Sequence, residues 1–318
     1  MNISLAFNVS CISSTASVPP RGTILVVVES FIFLVLNTAA FVGNLLVCTA
    51  FYRNPSLRTV TNNFIVSLAL TDLLMATFVM PVFTASSLLN RWIAGETISQ
   101  IMFYCLCIAM NTSLLNVMLL ATNRYFRVIR PEMYGNIYSK KSSAVMAAAT
   151  WIVTLVLVGV GYPLLGIGYE NSQSNPTYDQ VRFSKKYSYI YSTTVTSFYV
   201  SVPSFVVVIC YVKIYQAIRQ HNTAAAPSTQ EGNSPYGVQE AKITRLLTAV
   251  IVGFYLCYLP GFITTFFIIF NLLPSAAYSY LSFMRTFPTF TSSVINPIVY
   301  GVMNQSFRSE FVKIVCCR

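Results

Sequence analysis

Charge is what this 318-residue sequence has least of: only 9% of its residues are Asp, Glu, Lys or Arg. A soluble globular chain carries about 25% charged residues, because its surface has to stay hydrated. The composition therefore excludes an ordinary cytosolic enzyme, although a chain of this length can bury a large core. Hydrophobic residues make up 55% of the chain and the mean hydropathy is +0.63, as is typical of a polytopic membrane protein.

Histidine and acidic residues are also scarce, with one histidine (His221) and nine acids in the whole chain. The eight cysteines show no metal-ligand spacing. We find no nucleophile–base constellation and no glycine loop that could cradle a phosphate, so the sequence indicates that the protein is not an enzyme. Five cysteines lie inside apolar runs and are interpreted as packing residues: Cys48, Cys105, Cys107, Cys210 and Cys257.

The few charges divide the chain into seven apolar stretches. Each stretch can supply the ~20 apolar residues that a helix needs to cross a bilayer. Because the runs are continuous and do not alternate, helices are favoured over strands. The sequence therefore predicts an all-α membrane protein, a seven-transmembrane helix bundle, with a turn at 271–275 between the last two helices. The stretches are 24–53 with Glu29 inside, 58–91 with Asp72 inside, 97–123, 142–169, 187–212, 246–284 and 286–307.

The basic residues predict the orientation of this bundle. Alternate loops place fourteen Lys and Arg residues on one face and six on the other, and the more basic face is expected in the cytoplasm. We therefore expect an extracellular tail at 1–23, a seven-helix membrane domain at 24–302 and a cytoplasmic amphipathic helix and tail at 303–318. Because the charges are divided among short loops, they indicate attraction to anionic membrane lipid and argue against nucleic-acid binding.

Covalent modification is predicted at both ends of the chain. Asn2 and Asn8 each begin an N-x-Ser sequon in the tail that we expect to lie outside, so both are candidate N-glycosylation sites. Cys316 and Cys317 follow the amphipathic segment beside the membrane, so both are candidate palmitoylation sites.

Each span contains one polar, aromatic or proline landmark, and their order along the chain is specific. In this order and spacing the sequence resembles the rhodopsin-like (class A) G-protein-coupled receptors over residues 24–311. Within 123–131 the resemblance is nearest to the melatonin-receptor-like and opsin-like branch. The landmarks are Asn44, Asp72, the run Asn123-Arg124-Tyr125, Trp151, Pro203 with Tyr211, Cys257 to Pro260, and Asn296 to Tyr300.

The resemblance implies a receptor that binds an extracellular ligand and activates a heterotrimeric G protein. It implies a polar pocket that holds a sodium ion, formed by Asn44, Asp72, Ser113, Ser292 and Asn296. It also implies a cytoplasmic switch that contains Arg124, Tyr125, Tyr211 and Tyr300, with a sixth helix that pivots at Pro260.

Four positions depart from the family pattern. Ser99 and a cysteine-free second outer loop remove the usual disulfide between that loop and the third helix. Asn123 replaces the acid that usually comes before the arginine, which leaves Glu240 as the expected ionic partner of Arg124. Tyr258 replaces a tryptophan above the proline kink, and Ser292 replaces a common asparagine.

The expected ligand is defined mainly by exclusion. Aminergic relatives carry an aspartate where this chain has Leu106, and opsins carry the retinal-binding lysine where it has Phe290. A protonated monoamine and covalent retinal are therefore not expected, and no buried counter-ion is expected in this region. A small neutral or weakly polar ligand, or a peptide, is expected, with Lys185, Lys186 and Arg285 near the mouth. The expected pocket residues are Leu106, Met110, Tyr199, Tyr258, Phe262 and Phe290.

Alternative interpretations stay open for the whole chain and for single residues. An intramembrane aspartate beside serine and asparagine could serve an ion or proton transporter or channel, although a conducting path needs further polar rings. Asp72 could be protonated and purely structural, Arg124 could extend to the lipid headgroups, and the pocket aromatics could only pack the bundle.

Overall fold

The computed structural model describes residues 22–171, 179–184, 186–224, 235–269 and 278–316, which form a bundle of long helices. Within these ranges seven helices have 25 residues or more, two are shorter, and two strands form a hairpin. The elements are α1 Thr23–Arg53, α2 Val60–Leu88, α3 Glu96–Ile129, α4 Pro131–Ile137, α5 Lys140–Leu164, β1 Ile167–Asn171, β2 Asp179–Phe183, α6 Lys186–Ala224, α7 Pro235–Ile269, α8 Tyr278–Met303 and α9 Gln305–Val315.

The seven long helices confirm the predicted seven-helix bundle. Among the described residues, six of them contain a stretch apolar enough to cross a membrane. The seventh, α8, is less apolar because Thr289, Ser292, Ser293 and Asn296 lie in its interior, and all four are buried. Polar residues inside a membrane bundle are expected to face its interior, so their burial fits a spanning helix.

The short helices and loops begin at recognisable caps. The Asn54 side chain accepts a hydrogen bond from the backbone of Ser56 at the turn after α1. Ser139 and Ser142 form a reciprocal capping box at the start of α5. Asn304 accepts bonds from the first turn of α9. These caps satisfy backbone donors that a helix start leaves unpaired, so they define the helix boundaries.

Prolines interrupt several of the long helices. Pro203, Pro260 and Pro297 lie inside α6, α7 and α8, as the sequence predicts. A proline inside a helix removes a backbone hydrogen bond and bends the helix. Gly43 lets α1 approach this bend in α8, because a Cβ at Gly43 would be 2.7 Å from Cγ of Pro297.

The two ends of the bundle are distinguished by their side chains. We call the end that carries Arg53, Arg124 and Arg308 the basic end. The opposite end carries the hairpin β1–β2, which the sequence did not predict, and we call it the hairpin end. The strands pair antiparallel with Ile167 opposite Phe183, and the chain enters β1 through Gly166 with φ of +61°.

Several predicted residues lie outside the described residues. These are Asn2 and Asn8, the turn at 271–275, Lys185 and Cys317. For four residues in helices, Lys186, Glu240, Phe262 and Arg285, the backbone is described and the side chain is not.

Candidate functional site

Asp72 is the centre of a buried polar site between α2 and α8. Its Oδ1 accepts a hydrogen bond from the Ser293 hydroxyl over 2.8 Å, and its Oδ2 accepts one from the Asn296 amide over 2.8 Å. All three residues are buried. Because the two donors are neutral, these bonds orient the carboxylate without neutralising its charge.

Asn44 and Ser113 extend this site to α1 and α3. The Asn44 amide donates to the backbone carbonyl of Ser293 over 2.9 Å, so both Asn44 and Asp72 bind the same serine. Within the described residues, Oδ1 of Asn44 is buried and forms no hydrogen bond. The Ser113 hydroxyl lies 2.7 Å from the hydroxyl of Thr71, the residue before Asp72. Four helices therefore contribute polar groups near one carboxylate.

Ser293, which the sequence analysis did not include, is the serine that binds Asp72. Ser292, the predicted residue, donates instead to the Thr289 carbonyl over 2.7 Å and is hydrogen-bonded to the Tyr258 hydroxyl. Neighbouring residues on a helix point about 100° apart, so the two serines face different neighbours. Ser292 links α8 to α7, and Ser293 links α8 to α2.

The oxygen atoms of this site are of the types that bind a small hard cation. Sodium binds to carboxylate, hydroxyl and amide oxygens, and the site offers Asp72, Asn44, Ser113 and Ser293. The unpaired Oδ1 of Asn44 is an acceptor that an ion or a water molecule would satisfy, since a buried polar atom without a partner is costly.

Arg124 is buried at the basic end, with 3% of its surface exposed. Its guanidinium donates to the hydroxyl of Thr61 on α2 and, over 3.4 Å, to Oδ1 of Asn123. Thr61 in turn donates to Asn123 over 3.1 Å, and the Asn123 amide donates to the Tyr134 hydroxyl of α4 over 3.2 Å. The arginine therefore lies inside the bundle and its described acceptors are neutral.

Of the other predicted switch residues, Tyr211 of α6 lies near Arg124, and Tyr125 is half-buried on α3. Tyr300 is fully buried, with its ring 6.0 Å from that of Phe307. Its hydroxyl forms no hydrogen bond to any described group. Glu240 lies on α7, but its side chain is outside the described residues, so its pairing with Arg124 stays a prediction.

Three of the predicted ligand-pocket residues are buried and contact neighbouring side chains. Tyr199 is fully buried and donates to Thr154 of α5 over 3.2 Å. Tyr258 stacks on Phe254 at 4.1 Å. Phe290 packs edge-on against Phe33 of α1 and Phe83 of α2. Leu106 and Met110 on α3 are half-buried. The assignment of these five residues to a ligand pocket stays a prediction.

Glu29 is a buried carboxylate near the hairpin end that the sequence analysis treated only as an interruption of an apolar run. Only 4% of its surface is exposed. The hydroxyl of its neighbour Ser30 donates to the hydroxyl of Ser87 on α2 over 3.3 Å. Phe33, one turn further along α1, packs against the ring of Phe290. The expectation that no acid stands at position 106 is unaffected, because Glu29 lies on α1. The sequence did not indicate that Glu29 is buried, because a single charge near the end of an apolar helix does not prevent insertion of that helix into the membrane.

A cavity of about 620 Å³ lies between α2 and α5, away from both polar sites. It is lined by Leu70, Phe78, Trp151 and Ile152 among others. Leu70, Phe78 and Ile152 are exposed apolar residues on the outside of the bundle. This groove therefore faces the membrane and is not a candidate for the site of a water-soluble ligand.

The helix α9 is anchored to the basic end by Glu310. Its carboxylate accepts hydrogen bonds from Lys313 over 2.7 Å and from Asn54, in the loop after α1, over 3.0 Å. The bond from Lys313 lowers the pKa of Glu310 below its ordinary value, and the bond from Asn54 acts in the same direction. Cys316, at the end of α9, is exposed with a free thiol.

Comparison with known proteins identifies the family. Residues 43–300 match the family described as "7 transmembrane receptor (rhodopsin family)". Melatonin receptor type 1A of Mus musculus is 28% identical over 299 residues, which cover 93% of this chain and 82% of that protein. The QRFP-like peptide receptor of Branchiostoma floridae is 27% identical and covers 94% and 79%, respectively. Melanopsin-B of Xenopus laevis is 28% identical and covers 95% and 57%.

These matches extend over the helices that carry Asn44, Asp72, Arg124, Asn296 and Tyr300, and they give the transporter alternative no support. The chain belongs to the rhodopsin family of seven-transmembrane receptors and is a G-protein-coupled receptor related to the melatonin-receptor and opsin branch.

Proposed function

We propose that this receptor lies in the plasma membrane with its N-terminus outside, binds its ligand at the hairpin end and activates a heterotrimeric G protein at the basic end. The fourteen-to-six asymmetry of basic residues supports this orientation, because basic loops are retained in the cytoplasm. In this orientation Asn2 and Asn8 are exposed to glycosylation, and Cys316 and Cys317 are exposed to palmitoylation.

The observation that carries the proposal is the burial of Arg124 at the basic end, where Thr61 and Asn123 accept hydrogen bonds from its guanidinium. A charged side chain inside a membrane bundle costs free energy unless it has partners, and Thr61 and Asn123 supply them here. Movement of α7 about Pro260 would open this end and release the guanidinium toward a cytoplasmic partner. A ligand acts by binding the open form more tightly than the closed form.

Ion binding at the Asp72 site would shift the equilibrium between the closed and the open form. A sodium ion held by Asp72, Asn44, Ser113 and Ser293 would join α1, α2, α3 and α8, and it would favour the conformation in which the four helices are close. The alternative is a protonated Asp72 that only donates and accepts hydrogen bonds. We favour the ion because Oδ1 of Asn44 is a buried acceptor that forms no bond within the described residues.

The ligand is proposed to be a small neutral or weakly polar molecule, or a peptide. Leu106 and Met110 present apolar surface on α3, and the absence of an acid at 106 and of a lysine at 290 argues against a monoamine held there and against covalent retinal. No cofactor is proposed, and sodium is proposed only as an allosteric ion.

The test is expression of the receptor with a promiscuous G protein and a broad ligand screen. Second-messenger release and ion flux are recorded from the same cells. Second-messenger release that requires the G protein, with no change in ion flux, supports the proposal. Ligand-induced ion flux that persists without any G protein would overturn it in favour of a channel or transporter.

A further inference from the structure

Three side-chain hydroxyls donate to three successive backbone carbonyls at the base of the hairpin β1–β2, two of them from helices of the bundle and one from the residue after β2. Ser188 of α6 donates to the Leu165 carbonyl over 2.6 Å, and Ser184 donates to the Gly166 carbonyl over 2.7 Å. Tyr104 of α3 donates to the Ile167 carbonyl over 3.1 Å. We refer to Tyr104, Ser184 and Ser188 as the hydroxyl clasp.

The carbonyls in the clasp lie where the chain leaves α5 and enters β1. Gly166 has φ of +61°, so the backbone turns sharply there and the helix cannot continue. Ile167 is fully buried, and a buried carbonyl outside a helix needs a donor from another element. The three hydroxyls supply these donors from α3, from the residue after β2 and from α6.

A disulfide cannot perform this function, because the chain has no cysteine between Cys107 and Cys210. Ser99, near the start of α3, is itself engaged elsewhere. The Trp92 indole nitrogen donates to its hydroxyl over 2.9 Å, and Ser99 donates to the Gly95 carbonyl over 2.9 Å. Ser99 therefore fixes the loop between α2 and α3.

We propose that the hydroxyl clasp holds the hairpin on α3 in place of a covalent cross-link, with Tyr104 as the positioning residue. Tyr104 lies on the same helix as Leu106 and Met110, so the clasp also sets how the hairpin sits beside the proposed ligand pocket. It follows that this end of the receptor is insensitive to thiol reductants. The proposal concerns the unliganded protein and is independent of G-protein coupling.

The first test is the thermal midpoint of the purified receptor in detergent, in a Cys11→Ser background that removes the one cysteine of the N-terminal tail. Dithiothreitol should leave this midpoint unchanged. Tyr104→Phe and Ser188→Ala should each lower it by about 2–4 °C, because each removes one hydrogen bond that joins two elements. The matched controls Tyr215→Phe and Ser201→Ala alter exposed hydroxyls on α6 and should leave it unchanged.

A designed cross-link separates hairpin attachment from general packing of α3. A Cβ at Gly168 would lie 3.1 Å from Cδ of Gln100, so the two positions face each other between β1 and α3, and a cysteine at each is the cross-link to be tested. In the Tyr104→Phe variant, oxidation of this pair should restore the thermal midpoint, and dithiothreitol should then lower it again.

Three results would overturn the proposal. The first is a midpoint in the Cys11→Ser receptor that falls with dithiothreitol. The second is a Tyr104→Phe variant as stable as its parent. The third is a 100–168 cysteine pair that forms, as shown by loss of free thiol, without restoring the stability of the Tyr104→Phe variant, since this outcome would show that Tyr104 does not act by holding the hairpin.

Discussion

The guanidinium of Arg124 donates a hydrogen bond to the hydroxyl of Thr61, which joins α3 to α2 at the basic end. The Thr61 hydroxyl in turn donates to Oδ1 of Asn123, and the Asn123 amide donates to the Tyr134 hydroxyl. The sequence places an amide where related receptors usually have an acid. The structure shows that neutral oxygens occupy the described part of this network.

The first prediction concerns Thr61. Thr61→Val keeps the shape of the side chain and removes its hydroxyl, so the inactive packing of Arg124 loses a hydrogen bond to a charged group. Such a bond contributes about 1.5–3 kcal/mol, so basal signalling should rise several-fold up to saturation. The measurement is second-messenger level without ligand at equal surface expression. Thr77→Val, an exposed threonine on the same helix, is the control.

Comparison with Glu240→Ala shows which partner holds Arg124 in the inactive receptor, an interaction that we call the inactive lock. If Glu240 is the ionic partner of Arg124, removing it should also raise basal signalling. A rise with Thr61→Val alone would show that the neutral network holds Arg124. Unchanged basal signalling in both variants would remove Arg124 from the inactive lock.

The second prediction concerns the sodium site. Sodium chloride should raise the thermal midpoint of the purified receptor relative to choline chloride at the same ionic strength, because a ligand that binds only the folded state stabilises it. Asp72→Asn should abolish this difference. Ser292→Ala should retain it, since Ser292 bonds to Thr289 and Tyr258 and not to Asp72. A wild-type receptor without any sodium dependence would leave Asp72 with a structural role only.

The third prediction concerns topology. N-glycosidase treatment of the expressed receptor should increase its gel mobility, and the double variant Asn2→Gln, Asn8→Gln should not show this shift. An epitope tag at the N-terminus should be accessible on intact cells. Accessibility only after permeabilisation would reverse the proposed orientation.

The fourth prediction concerns pH and α9. The pKa of Glu310 is lowered in the folded protein, so its bonds to Lys313 and Asn54 stabilise the docked helix above the ordinary pKa of 4.5. This stabilisation should be lost as the pH falls through the lowered pKa. Hydrogen exchange of the α9 backbone should therefore increase, relative to the rest of the bundle, below about pH 4.5. Glu310→Gln should show faster exchange at neutral pH and no further acid-dependent step, whereas identical profiles would contradict the role of Glu310.

Most of the fold could be predicted because the scarcity of charge marks each membrane span. Charges at Arg53, Arg58 and Arg91, for example, delimit α1 and α2 closely. The hairpin was not predicted, because its strands are short and polar and membrane insertion does not constrain them. Its attachment depends on hydroxyls distant in sequence, such as Tyr104 and Ser188, whose contacts with backbone carbonyls leave no local pattern.

The candidate sites could be predicted to the level of the helix and less well to the level of the side chain. Asp72, Asn296 and Arg124 lie where the motif order places them. Ser293 was missed because the spacing selects Ser292, and one step along a helix changes which neighbour a side chain contacts. The bond from the Tyr199 hydroxyl to Thr154 joins residues 45 positions apart and could not be read from the sequence.

The most direct test of receptor function is nucleotide exchange on purified heterotrimeric G proteins, with the receptor in lipid nanodiscs. A panel that represents each Gα class avoids any assumption about coupling. The Thr61→Val receptor should accelerate GTP analogue binding by at least one class without added ligand. Arg124→Ala in the same background should abolish this acceleration, and Arg91→Ala, at the hairpin end, should not. Exchange that is unaffected by the receptor in every class, or equal in the Arg124→Ala variant, would contradict the account.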